Sequence, residues 1–336
     1  MKRTHLVLFL AVAVAATAVA CTPRDVAEDA CLGGDRPIYT VPAHSTPWPS
    51  SRLSLPNGTA IDARDQTFDA STFNAGGYST GIKIHYQPNV RADLCFTGGS
   101  IYTTLDPVTT LFDLWHDSIG VRAETADLHF VGTHFANLGD AIAFSGGATN
   151  WKLTGIRADG GGVLDGAYIH DDCVENDGMN SGVLQDSKLD GCHVFMSSFG
   201  PGYDGTGNTV IVRDNLVRLQ PMYNSYDPAK YGYNQTGGFF KWSNRPQDGV
   251  APKLVVESGT FRADQPAFYG GNISGWLALP PNTDCGDVTL VGTEAWAARD
   301  VTSWVSQCNS VTFGTVADWD AQVAAWDAEH PILTRP

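Results

Sequence analysis

The chain has 336 residues, 43% of them hydrophobic and only 17% charged, which excludes a disordered polymer. Its 36 glycines and 18 prolines, with 10% aromatics, indicate a packed chain of many short strands and turns and few long helices. The 21 Lys and Arg against 36 Asp and Glu leave a net charge of −15. That balance argues against nucleic acid as a partner, and it would repel an acidic glycan unless a cation or a local basic patch intervened.

Residues 1–21 read as a processing signal. Met1-Lys2-Arg3 is a short basic start, and Leu6 to Ala20 carry only small and apolar side chains. That run is too short to span a bilayer and suits a secretory signal. It ends Thr17-Ala18-Val19-Ala20-Cys21, which is similar to a bacterial lipobox with Ala18 where Leu is commoner. Two outcomes stand: Cys21 is lipidated and anchors the chain, or ordinary cleavage occurs nearby. Either way the protein is exported, as an envelope lipoprotein or a secreted protein. Removing Cys21 leaves six cysteines, an even set suited to an oxidising compartment. Local spacing favours Cys173–Cys192 and Cys285–Cys308, which leaves Cys31–Cys95. No C-x-x-C pair supports the rival use of these residues in a metal site.

Residues 22–80 carry Pro, Ser and Thr runs with little periodicity and are expected to form an N-terminal cap segment. From about residue 116 a weak repeat appears: an apolar alternation, a small or turn residue, then another apolar residue. Copies are Leu128-His-Phe130-Val-Gly132, Trp151-Lys-Leu153-Thr-Gly155, Val183-Leu184-Gln-Asp186 and Val210-Ile-Val212-Arg-Asp214. Leu254-Val-Val256-Glu-Ser258, Val288-Thr-Leu290-Val-Gly292 and Val311-Thr-Phe313-Gly314 follow. The anchors Phe130, Leu153, Leu184, Val212, Val256, Leu290 and Phe313 are 23, 31, 28, 44, 34 and 23 residues apart. A short half-buried strand recurring at such intervals suits a solenoid whose coils share one core, with longer steps marking loops. A β-sandwich would bring its strands closer, with no longer repeat. The expected fold is therefore an all-β, right-handed parallel β-helix over residues 81–315. Val316, Trp319, Val323 and Trp326 then define one apolar helical face, and Pro331 would stop the helix. Residues 316–336 are expected to cap the open core with that helix and a tail. A monomer is expected.

The densest polar run is Tyr168-Ile-His170-Asp171-Asp172-Cys173-Val174-Glu175-Asn176-Asp177. Cys173-Val174 carry a strand straight through it, and adjacent carboxylates repel, raise one pKa, or bind a cation. His170-Asp171-Asp172-Cys173-Val174 resembles the Asp-Asp-Cys-[Val/Ile] segment of polygalacturonase-type hydrolases, right-handed parallel β-helices of the pectate-lyase-like superfamily. In those hydrolases an Asn-Thr-Asp segment lies one coil before and a Gly-His-Gly segment one coil after. Here those places hold Gly139-Asp140-Ala141-Ile142 and Gly191-Cys192-His193-Val194, and no Arg-Ile-Lys occurs. The resemblance in fold thus extends further than the resemblance in motif.

Stacked as successive strands, these segments would line one groove with Asp140, Asp171, Asp172, Glu175, His193 and, after a Tyr-rich loop, Lys241. A one-residue slip of register would turn any of them away. Three functions fit. A polysaccharide lyase would hold Ca²⁺ on Asp140, Asp171, Asp172 and Glu175, with Lys241, His193 or Arg245 as base. A glycoside hydrolase would use Asp171 and Asp172 with Asp140 as its acid and base. A glycan-binding envelope protein would grip sugar rings with Tyr223, Tyr226, Tyr231, Tyr233 and Trp242. The lyase is slightly favoured, because the hydrolase motifs are incomplete and acids outnumber credible bases. Asp171, Asp172, His193 and Lys241 are the catalytic candidates; Tyr223, Tyr226, Tyr233, Trp242 and Arg245 are the substrate-binding ones.

Overall fold

The computed structural model describes residues 31–33, 35–41, 57–71, 79–85, 92–106, 118–124, 126–146, 150–159, 169–220, 236–243, 246–267 and 277–335. For residues 79–85, 92, 126, 170, 171 and 246 it describes the backbone only. The signal region with Cys21, together with Tyr168, Tyr223, Tyr226, Tyr231, Tyr233 and Arg245, lies outside the described residues.

Every described strand pairs in parallel with a strand roughly one coil away in sequence. Strands group into three faces. Face A runs Ile38–Thr40, Ala60–Asp62, Ala92–Thr97, Ala126–Val131, Trp151–Thr154, Gly182–Gln185 and Thr209–Arg213, then into the first halves of Lys253–Ala263 and Asp284–Val291. Face B starts at Thr67–Asp69 and ends at Cys308–Gly314. Face C holds Ser79–His85, Ser118–Glu124, Asp140–Phe144, Ile169–Glu175, the end of Lys188–Ser198, and Phe240–Trp242. This is the expected all-β solenoid. The ladder reaches back to Ile38–Thr40, so strands from the expected N-terminal cap join the stack.

Period-two alternation sends every second residue inward. On face A, Ile61, Phe96, Phe130, Leu153, Leu184, Val212 and Val256 stand in one buried column. On face B the column is Phe68, Ile101, Phe135, Ala158, Leu189, Val217, Phe261 and Leu290. Leu290 therefore belongs with Phe261, not with the face A anchors that its sequence copy suggested. The reason is length: Lys253–Ala263 and Asp284–Val291 run unbroken across the corner, so the later copies match the second half of a coil. Elsewhere the corner is a left-handed residue at stacked positions, Gly98, Gly132, Gly155, Asp186 and Asp214, with φ from 49° to 72°. Those are the small or turn residues of the repeat.

All three expected disulfides are present: Cys31–Cys95, Cys173–Cys192 and Cys285–Cys308, with Cα atoms 5.4, 5.6 and 4.2 Å apart. Two helices occur near the end. Helix α1, Ala298–Gln307, sinks Trp304 into the core against Phe261, Phe239 and Phe240. Helix α2, Val316–Glu329, forms where the apolar stripe placed it, with a Thr315/Asp318 capping box at its start.

Helix α2 lies along the outer side of face B. Trp319 packs with Leu216 and Val291 and lies under the Arg262 guanidinium, and Thr260 donates to Gln322. Further along, Asp327 pairs with Lys188 at 2.8 Å and Arg157 at 2.9 Å, and both cations flank Trp326. His330 stacks on Trp326 and pairs with Asp186 at 3.0 Å. Leu333 sits against Gly132, where a Cβ would come within 2.5 Å of it. Arg335 finally donates to Asp65, Val41 and Asp62. Helix and tail thus form a strap running back along the solenoid. Phe313, at the end of the face B column, is left 56% exposed.

Candidate functional site

Face C carries the polar constellation. Its inward column is Val121, Ile142, Val174, Met196 and Phe240, all buried. The neighbouring positions, one residue later, form a second line: Arg122, Ala143, Glu175, Ser197 and Lys241. Adjacent rungs are about 4.8 Å apart, so this line puts a cation at each end and a carboxyl between them. Glu175 and Lys241 are partly exposed, while Ser197 is only 1% exposed. The Ser197 hydroxyl has no hydrogen-bond partner among the described residues. Buried hydroxyls are normally satisfied, so its place between Glu175 and Lys241 suits a ligand or ordered water.

Asp172 and Asp140 lie beside this line. The strand Ile169–Glu175 is irregular between Ile169 and Asp172, and beyond that point Asp172 pairs with Val194. The Asp172 N–H donates to Asp140 Oδ1 at 3.0 Å, tying two coils together through a side chain. Asp172 Oδ2 is 3.8 Å from Lys241 Nζ, an ion pair in which the carboxylate is almost wholly buried. His193, one residue before Val194, is partly exposed and lies under Gly237, where a Cβ would fall 2.9 Å from its ring.

The strand ends at Glu175, and the next residue, Asn176, has a side chain that is buried and saturated. Its amide donates to the Asn180 carbonyl, and its oxygen accepts from the Asn180 N–H. The resulting turn returns Asp177 to Glu175, and the two carboxyls hydrogen-bond. Burial, then the charge of Asp177 and the hydrogen bond to it, push Glu175 up to about 8; Lys241 and Arg122 only partly oppose this. Asp177 is also raised, by burial and by Asp172 and Asp140. Its hydrogen bond to Glu175 pulls the other way, so the two carboxyls share a proton and titrate together.

The structure therefore gathers Asp140, Asp172, Glu175 and Lys241 as the sequence suggested. It places the backbone of Asp171 in the same strand. Asp177 was visible as the last acid of the run but had no assigned role; the signal was the Asn176-Asp177-Gly178 turn two residues beyond Glu175. Arg122 and Ser197 carry no motif and emerge only from register. Trp242 is buried at 6%, with its indole N–H on the Pro252 carbonyl and its ring against Phe240, so little of it is left for a sugar. Loop Tyr223, Tyr226 and Tyr233, with Arg245, fall outside the described residues.

Of the expected calcium ligands, Asp140, Asp172 and Glu175 have described side chains and Asp171 does not. Among the described residues, only Cys31, Cys95 and His129 bring three possible ligand atoms within 4.8 Å of one another. Asp172 pairs with Lys241, Asp140 accepts from the Asp172 N–H, and Glu175 meets Asp177.

Compared with known proteins, the chain matches no family model, no curated protein and no solved structure.

Proposed function

We propose that this protein is an exported polysaccharide-cleaving enzyme that works by carboxyl acid–base hydrolysis. The observation that carries the reading is the convergence of Asp140, Asp172, Glu175, Asp177 and Lys241 on one face, with Glu175 hydrogen-bonded to a second carboxyl. A hydrolase needs one carboxyl that holds a proton and one that does not. Glu175 is the proton donor to the leaving glycosidic oxygen. Asp172, fixed by the Asp140 contact and ion-paired to Lys241, is the carboxylate that accepts charge from water or sugar. Asp177 holds the Glu175 proton in place through its hydrogen bond.

The same geometry tells against the elimination mechanism favoured from sequence. Lys241 is ion-paired with Asp172 at 3.8 Å, which occupies the group that would have to take a proton from a sugar C–H. The stacked parallel strands of a solenoid suit an extended polymer, and the resemblance to polygalacturonase-type hydrolases points the same way. Arg122 and Lys241 at the ends of the Glu175 line make uronate-bearing polymers the first to try. Export is supported by the signal-like start and the three disulfides.

The test is a panel of uronate-bearing and neutral polysaccharides, followed for new reducing ends and for unsaturated products, with and without a chelator. New reducing ends without unsaturation, unaffected by chelator and abolished in Glu175→Gln, are expected. Unsaturated product lost with chelator would restore the calcium lyase. Binding without cleavage would leave a glycan-binding envelope protein.

A further inference from the structure

Away from the carboxyl site, the outer side of face A holds a second group of chemistry-bearing side chains. Cys95 and His129 are register partners on neighbouring strands, each between two inward-facing residues, so both point outward. Cys31, in the first described turn, covers them and bonds to Cys95. Cys95 Sγ lies 3.4 Å from His129 Nδ1, and the two sulfurs and a ring nitrogen of His129 all fall within 4.8 Å of one another. A tetrahedral zinc with ordinary Zn–S and Zn–N lengths sets its S···N edge near ~3.5 Å. The far ring nitrogen of His129 lies 3.1 Å from Thr154 Oγ1, a contact of the kind that orients a ligating imidazole. Cys31 and Cys95 are buried and His129 is only partly so, which leaves the imidazole side as the approach.

We infer that opening the Cys31–Cys95 disulfide turns this spot into a Cys₂His site for a thiophilic divalent cation such as Zn²⁺, with water in the fourth position. The step balances: a dithiol reductant gives two electrons and two protons, becomes a disulfide itself, and leaves two thiols. The cation then displaces both thiol protons to solvent. Two thiolates neutralise the dication, so the buried centre carries no net charge. Closing the disulfide expels the metal, so the oxidised and metal-holding forms exclude one another. The absence of a C-x-x-C pair in the sequence is no obstacle, because register supplies the proximity that spacing does not.

The full chain would be reduced with a phosphine, which does not compete for metal as a dithiol does, and the opened bridge mapped by mass spectrometry. Titration with Co²⁺ should then give thiolate charge-transfer and four-coordinate ligand-field bands that saturate at a single equivalent. The bands should be absent before reduction and chased by Zn²⁺. His129→Ala keeps the disulfide for folding and should weaken Co²⁺ binding by at least about tenfold; Thr154→Val should weaken it by about tenfold. Cys31→Ser/Cys95→Ser should abolish it. Reduced protein without these bands, bands surviving the double Cys variant, or undiminished binding in His129→Ala would each overturn the site and leave His129 as a packing neighbour of a structural disulfide.

Discussion

A carboxyl that stays protonated near neutral pH needs surroundings that resist charge and a neighbour that takes its hydrogen bond, and Glu175 has both. Hydrolysis should therefore fall as pH rises through about 8, where Glu175 loses its proton. Glu175→Gln should lower kcat by about 10²–10⁴-fold with a small change in KM. The same residue links stability to pH. Its folded pKa lies above the ordinary 4.5, so the folded chain binds the extra proton and loses stability as pH climbs from about 4.5 to 8. Glu175→Gln should remove that loss, raising stability on the order of 1–2 kcal/mol at pH 7.5 and leaving it near wild type at pH 4, read by chemical denaturation. An equal gain at both values would show that Glu175 is not titrating there. Much of this site was legible beforehand, because the acidic run sits inside a strand and strand alternation limits where each side chain goes. The Glu175–Asp177 hydrogen bond was not. It depends on a turn closed by buried Asn176, and a turn residue's direction does not follow from period-two reasoning.

At the scale of single strands and helices, close approach decides what each position tolerates. Gly182 lies beneath Trp151, and a Cβ there would fall 1.9 Å from the indole. Trp151 is itself held by a parallel stack on Phe144 at 5.1 Å, so it has no room to retreat. Gly182→Ala should cost about 2–3 kcal/mol of stability, measured as a shifted denaturant midpoint with an unchanged slope. Helix α2 makes the complementary case. Its apolar stripe announced a helix at the right residues, but a stripe says only that one face is covered, not by what. The partners are Leu216, Val291 and the charged rungs of face B, distant in sequence and without a motif. The anchorage should also depend on pH. Burial disfavours charge on His330, but the Asp186 hydrogen bond and charge outweigh it, so its pKa is raised above 6.5. The contact is at full strength below that value and weakens as pH rises through the folded pKa. Amide exchange in residues 326–335 should therefore speed up from pH 6 to pH 9 beyond its intrinsic rise, and His330→Gln should flatten the difference.

Across the whole molecule, the coils are joined by staples of two kinds. Cys173–Cys192 and Cys285–Cys308 tie neighbouring coils, closing loops of 19 and 23 residues. Replacing Cys285 and Cys308 together by Ser should cost about 3 kcal/mol by loop-entropy reasoning, with the last coil melting first. The repeat made the solenoid legible because each coil must present the same apolar positions to its neighbours. It misassigned Leu290, since unbroken strands erase the corner residue that would have marked the phase. The strap adds an order of events. Coils can stack one upon the next, each needing only the one before it. The contacts of Arg335 with Asp65, Val41 and Asp62 join residues 270 to 294 positions apart. The first coils are therefore fastened only after every coil between them and the strap is in place, and until then the outer charges of face B stand open.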